Sequence, residues 1–139
     1  MNISRFDDLL LAAIEQVHAQ RLLLVFTSAE LPDDPTPEQR AGFEQGEGGA
    51  LVPVMCVHQT PNEIGNFEQL KLQAEQFKRQ WHVLFASSLS GKGDGLPSVA
   101  TAEHYLGVME ESIKQGRLDQ LIAFDANGDA IAWGQPDVH

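Results

Sequence analysis

A chain of 139 residues, 42% hydrophobic and 21% charged, suits one domain that buries about two-thirds of its unfolded surface, and it is too apolar to stay disordered. Its 20 acidic residues against nine basic ones leave a net charge of −11, which repels nucleic acid and anionic membranes and argues against both as partners. Met1-Asn2-Ile3-Ser4-Arg5-Phe6-Asp7-Asp8 meets two carboxylates before any apolar run, no apolar stretch reaches bilayer length, and Cys56 is the single cysteine. No leader, membrane span or internal disulfide is expected, and the chain reads as cytoplasmic.

Ser4 with Asp7 three residues on has the form of a capping box, with Asp in the usual place of Glu. Phe6, Leu9, Leu10, Ala13, Ile14 and Val17 recur at helical spacing, predicting an amphipathic helix over residues 5–18 with that face buried. Leu22-Leu23-Leu24-Val25-Phe26 follows with no alternation. That is the pattern of a strand covered on both faces, hence central in a sheet. In Leu31-Pro32-Asp33-Asp34-Pro35-Thr36-Pro37 each proline removes a donor and restricts the residue before it. Thr36-Pro37-Glu38-Gln39 then opens a short helix over 37–45, ended by Gly46 and Gly48-Gly49. The whole stretch 28–50 reads as a surface excursion between two strands.

Leu51 to Val57 is the next strand, and because Pro53 cannot donate to a ladder, either this strand starts at an edge or one side of it is unpaired there. Thr60-Pro61-Asn62-Glu63 is a second capping box. Its helix carries Ile64, Phe67, Leu70, Ala74 and Phe77 on one face. Gly65 weakens the first turn by roughly 1 kcal/mol relative to Ala, so a start at Asn66 is the alternative. Trp81–Ala86 is a strand, and Ser98 caps a helix with Val99, Ala102, Leu106, Met109 and Ile113 as its buried stripe and Gly116 at its end. Leu118–Asp125 and Asp129–Trp133 form a hairpin about Asn127-Gly128. The fold class is therefore α/β: a single domain over residues 1–139 with a mixed sheet of about five strands, three main helices packed on it and a C-terminal β-hairpin. Strand–helix–strand units favour parallel pairs, and the hairpin adds an antiparallel one.

The stretch Ser87–Ser98 joins a strand to a helix and is the strongest position for a site. Ser90, Gly91, Lys92, Gly93, Gly95 and Ser98 together suit an anion: main-chain N–H groups, a helix N-terminus and one ammonium. The order of glycines matches neither a P-loop nor a dinucleotide fingerprint, and Asp94 repels phosphate, so a flexible surface loop competes with that reading. Ser87, Ser88 and Ser90 could act as nucleophiles with His104 and Asp94, but no Gly-x-Ser-x-Gly elbow is present. Cys56 and His58 share one face of a strand, and with His82 they are the weak candidates for a zinc site, although zinc spacing patterns are missing. Asp33, Asp34, Glu38, Glu44 and Glu47 cluster as a solvated acidic face. No metal and no cofactor is expected.

From Met1-Asn2-Ile3-Ser4-Arg5-Phe6-Asp7-Asp8-Leu9-Leu10 through Leu22–Phe26, Glu47–Met55 and Ala123-Phe124-Asp125, the chain resembles a group of short bacterial proteins often labelled "ribonucleotide reductase subunit alpha". The resemblance spans most of the length and brings no catalytic motif with it. Radical chemistry of that reductase draws on several cysteines and this chain has only Cys56, so no residue carries over and the activity is not expected. The expected function is a non-catalytic binding module that contacts another cytoplasmic protein or a second copy of itself. The alternative is a small-molecule binder or enzyme that uses Ser87–Ser98 for a ligand bearing a phosphate or carboxylate.

Overall fold

Strand β1 (Gln20–Glu30) is the axis of the computed structural model, which describes residues 3–30, 37, 50–77, 80–92, 95–115, 117–118 and 121–131. Strands β2 (Ala50–Gln59) and β3 (Val83–Ser90) flank it, and β4 (Ile122–Phe124) and β5 (Ala130–Ile131) continue beyond β3. The sheet order is β2-β1-β3-β4-β5. Four helices accompany it among the described residues: α1 (Phe6–Ile14), α2 (Pro61–Ile64), α3 (Phe67–Glu75) and α4 (Val99–Lys114).

The five apolar residues Leu22 to Phe26 are each 3% exposed or less. Leu22, Leu24 and Phe26 pack with Phe6, Leu9, Leu10, Ile64, Phe67 and Leu70, whereas Leu23 and Val25 pack with Ala102, Leu106, Met109 and Ile113. Helices α1, α2 and α3 therefore cover one face and α4 the other, which is why this strand carries no polar alternation.

Every strand pair is antiparallel, which corrects the expected parallel pairing. The segment through α2 and α3 does link two strands that run the same way, β2 and β3. Strand β1, from earlier in the chain, lies between them and runs against both. Pro53 lies on an edge strand as expected. Opposite it the register slips between Phe26 and Thr27, which leaves Val54 as the extra residue of a bulge.

Local signals held where caps were strong and shifted where they were not. Asp8, not Asp7, closes the first cap: its Oδ2 accepts the N–H groups of Arg5 and Ser4 at 3.0 and 3.1 Å, and those bonds hold its carboxyl below the usual range. Asp7 instead accepts the N–H of Phe67 at 2.8 Å, the first residue of α3. Helix α1 stops at Ile14, so Ile14 and Val17 are 57% and 94% exposed rather than buried. The Thr60–Glu63 box forms, but Gly65 at φ 80° breaks the helix, and Asn66 caps α3 by accepting from Gln69 N–H at 2.9 Å. Both expected starts are thus used. Phe77 lies past the end of α3 and is exposed, as is Val99 in the first turn of α4.

Strand β3 starts at Val83 and runs through Ser90, so Ser87, Ser88 and Ser90 belong to the sheet and not to a loop. The hairpin is wider than a two-residue turn. Phe124 pairs with Ala130, and the Asp125 carboxylate accepts the N–H groups of Asn127 and Asp129. Of the predicted helix over 37–45 only Pro37 is described, as helical; the rest of it with Gly46, Gly48 and Gly49, the acidic cluster from Asp33 to Glu47, and Gly93, Asp94, Gly116 and Trp133 lie outside the described residues.

The two edges of the sheet are unlike. Beyond β5 the chain's own N-terminal segment closes the ladder: Ala130 donates to the Ser4 carbonyl and Phe6 to the Gly128 carbonyl, both at 2.8 Å. Among the described residues, nothing pairs with the outer edge of β2.

Candidate functional site

The anion cradle expected at Ser90–Ser98 has most of its groups engaged within the chain. Gly91 is buried and its N–H donates to the Ala19 carbonyl at 2.8 Å, while the Gly95 N–H donates to the Lys92 carbonyl at 3.0 Å. The Ser90 hydroxyl accepts from Gln20 Nε2 at 2.7 Å. Ser98 accepts from Thr101 N–H at 3.1 Å as the cap of α4 and donates to the Thr101 hydroxyl at 2.9 Å. Lys92 is exposed. None of Ser87, Ser88 and Ser90 shares a hydrogen bond with His104, whose ring packs edge-on against Tyr105 with centroids 5.1 Å apart.

Cys56 and His58 do share a face, opposite Val25 and Leu23 on β1. His82 lies elsewhere: its N–H donates to the Thr27 carbonyl and its Nδ1 approaches Ser28 Oγ, beyond β1 and toward the other end of the strand. The three are not brought together, and among the described residues no group of three His, Cys, Asp or Glu side chains could hold a metal. Each of the first two has a different neighbour instead. The Cys56 thiol donates to Glu110 Oε2 on α4 at 3.2 Å, and desolvation together with that carboxylate pushes its pKa up to about 12. His58 Nδ1 lies 3.3 Å from Arg21 Nη1, and Arg21 Nε donates to the Pro97 carbonyl. A guanidinium only donates, so Nδ1 is the acceptor and the neutral ring carries its proton on Nε2.

The main chain shows which β2 groups point outward. Gly91 bonds Ala19 on the β3 side. Because antiparallel pairs alternate between bonded and unbonded, the odd-numbered residues of β1 turn to β3 and the even-numbered ones to β2. On β2, the residues opposite odd-numbered partners are Leu51, Pro53, Cys56 and His58. Their main-chain groups therefore face away from β1, and the N–H that Pro53 lacks is one that β1 would not have paired.

A separate cleft of about 300 Å³ opens at the end of α1, lined by Ile14, Gln20, Thr60, Pro61 and Leu96 among others. Gln20 is its buried polar floor, 5% exposed, with Nε2 held by Ser90 Oγ and the His18 carbonyl. Reading the sequence alone missed Gln20, Arg21 and Glu110. No spacing signal links them to Ser90, His58 and Cys56, because their contacts span 70, 37 and 54 residues of chain. No helix among the described residues is long and apolar enough to cross a membrane. Comparison with protein-family models, with curated proteins and with solved structures finds no match.

Proposed function

We propose that the chain is a non-catalytic binding module that takes an extended protein strand onto the outer edge of β2. The observation that carries this reading is the contrast between the edges: the N-terminal segment closes β5, while Cys56 and His58 turn main-chain donors and acceptors outward from β2. Unpaired edges template the addition of another strand, with main-chain bonds supplying affinity. Cys56→Pro tests it, because that proline removes an N–H to which none of the described residues is bonded. The variant should keep its far-ultraviolet circular dichroism, and it should lose proteins that the parent chain captures from a cell extract and whose binding slows amide exchange at Cys56 and His58. Equal capture by both chains, with unchanged exchange at those amides, refutes the reading.

The cleft beside Leu96 favours a second reading, a small ligand with an apolar body against Ile14, Pro61 and Leu96 and a polar group toward Thr60 and Gln20. A ligand present at about 100 times its Kd stabilises the folded chain by roughly 2.7 kcal/mol. A thermal-shift screen of nucleotides, phosphosugars and small carboxylates that moves Tm for none of them removes this alternative.

A further inference from the structure

We infer that the occupant of the β2 edge is a second copy of this chain, paired antiparallel about a two-fold axis through Val57, so that Cys56 of each copy lies opposite His58 of the other. This rests on the edge reading above and adds an identity and a register to it. The usable part of the edge is short. On one side it is bounded by the Val54 bulge and by Pro53, and on the other by Thr60, whose N–H is committed to the Glu63 carboxylate at 2.8 Å. Between them only Cys56 and His58 face outward. A two-fold at Val57 is the one self-pairing register in that window that gives both residues a partner on both copies, each pair exchanging N–H···O bonds in both directions.

Charge points to the same register. From Leu51 to Gln59 the strand carries no Asp, Glu, Lys or Arg, so no like charges oppose one another in a self-paired edge of a chain whose net charge is −11. The flanking charges are complementary. Cys56 holds Glu110 and His58 holds Arg21, on one face of the sheet. Residues directly opposite in a ladder share a face, so Glu110 of each copy meets the Arg21–His58 pair of the other, twice by symmetry. Gly107, one helical turn before Glu110 on the same flank of α4, has open space where a side chain would be, which leaves room for the neighbouring helix. A contact of this length falls at the small end of specific interfaces, so the dimer should dissociate on dilution.

The test combines light scattering across a concentration series with disulfide trapping. Val57 would sit at the widely spaced self-pair, where Cα atoms approach to about 4.5 Å, within disulfide reach. Val57→Cys in a Cys56→Ala background should oxidise to a covalent dimer, while Leu72→Cys in the same background, exposed on α3, should not. Cys56→Pro should abolish the dimer. In case the cysteine variants fold poorly, Glu110→Arg and Arg21→Glu should each weaken dimerisation tenfold or more, and the double variant should regain it. A chain that is monomeric at every concentration overturns this inference, as does a dimer that Cys56→Pro leaves intact or that traps no better at Val57 than at Leu72. A monomer whose captured proteins vanish with Cys56→Pro overturns only the choice of a second copy. One whose captured proteins ignore that variant overturns the edge reading as well.

Discussion

Gly128→Ala adds a single methyl group at a tight junction with an aromatic ring of the core. Gly128 has φ +84°, a backbone conformation that costs an L-residue about 1–2 kcal/mol. The added Cβ would also lie 2.9 Å from Cδ2 of Phe67. That ring is packed against Phe6, which in turn meets Phe124 edge-on with centroids 5.3 Å apart, so it has little freedom to retreat. Overpacking of this kind typically costs about 1–3 kcal/mol. The sum is about 2–5 kcal/mol, and at roughly 3 °C per kcal/mol for a domain of this size Tm should fall by about 6–15 °C. Urea unfolding followed by fluorescence should show a lower midpoint with the slope unchanged. The two contributions separate with partner variants: Gly128→Asn relieves part of the backbone strain but keeps the clash, and Phe67→Leu relieves the clash but keeps the strain. Gly128→Ala combined with Phe67→Leu should therefore cost less than the sum of the single changes. A Tm within about 2 °C of the parent for Gly128→Ala, or strict additivity with Phe67→Leu, refutes the argument.

Asp7→Ala should lower stability by about 1–2 kcal/mol, since it strips the acceptor from the first N–H of α3, and Asp7→Asn should cost about half as much; denaturant midpoints decide it. Asp8 and Glu63 are held below the usual carboxylate range, chiefly by the main-chain N–H groups of Arg5 and Thr60 respectively. A depressed folded-state pKa gives stability that is present above the unfolded value near 4 and is lost as pH falls through the folded one. Asp8→Asn and Glu63→Gln should accordingly flatten the acid limb of a Tm–pH curve below about pH 4, and an unchanged limb refutes it. Cys56, with its pKa near 12, should react with a disulfide reagent at pH 8 about a hundredfold more slowly than a free thiol, after allowance for its greater intrinsic nucleophilicity. Glu110→Gln should speed it; labelling at the free-thiol rate in the parent contradicts the Glu110 contact.

The legible parts of the fold are those written in adjacent residues. Five apolar residues in a row at Leu22–Phe26 have the pattern of a strand with cover on both sides, and Pro53 suits a place where its missing N–H has no ladder partner. Ser98, Thr60 and Asn66 announce helix starts because each satisfies an orphan N–H three residues away. The parts that were not legible depend on pairs distant in sequence. Strand direction turned on β1 lying between β2 and β3, which no local pattern encodes. Asp8 outcompeted Asp7 as the cap because Asp7 had a better partner in Phe67 N–H, 60 residues away. In the expected cradle, the Gly91 N–H and the Ser90 hydroxyl meet Ala19 and Gln20, about 70 residues away, and neither pairing is visible in the spacing of glycines and serines.

The Pro53–Val54 irregularity does more than mark an edge. A flat, uninterrupted ten-residue edge could pair in several registers and would invite sliding and aggregation. Proline removes one outward donor and the bulge twists the strand at its first half, so that half is a poor template. On the other side the Thr60–Glu63 box takes the next N–H out of play. The strand addition proposed above is thereby confined to Met55–Gln59, where the outward groups are few enough to fix a register and Glu110 and Arg21 lie nearby. At the opposite edge the same problem is solved by occupation, with Ser4 and Phe6 filling the ladder beside β5. With Ser4 and Phe6 bonded beside β5, the proposed association is narrowed to a single short segment of β2.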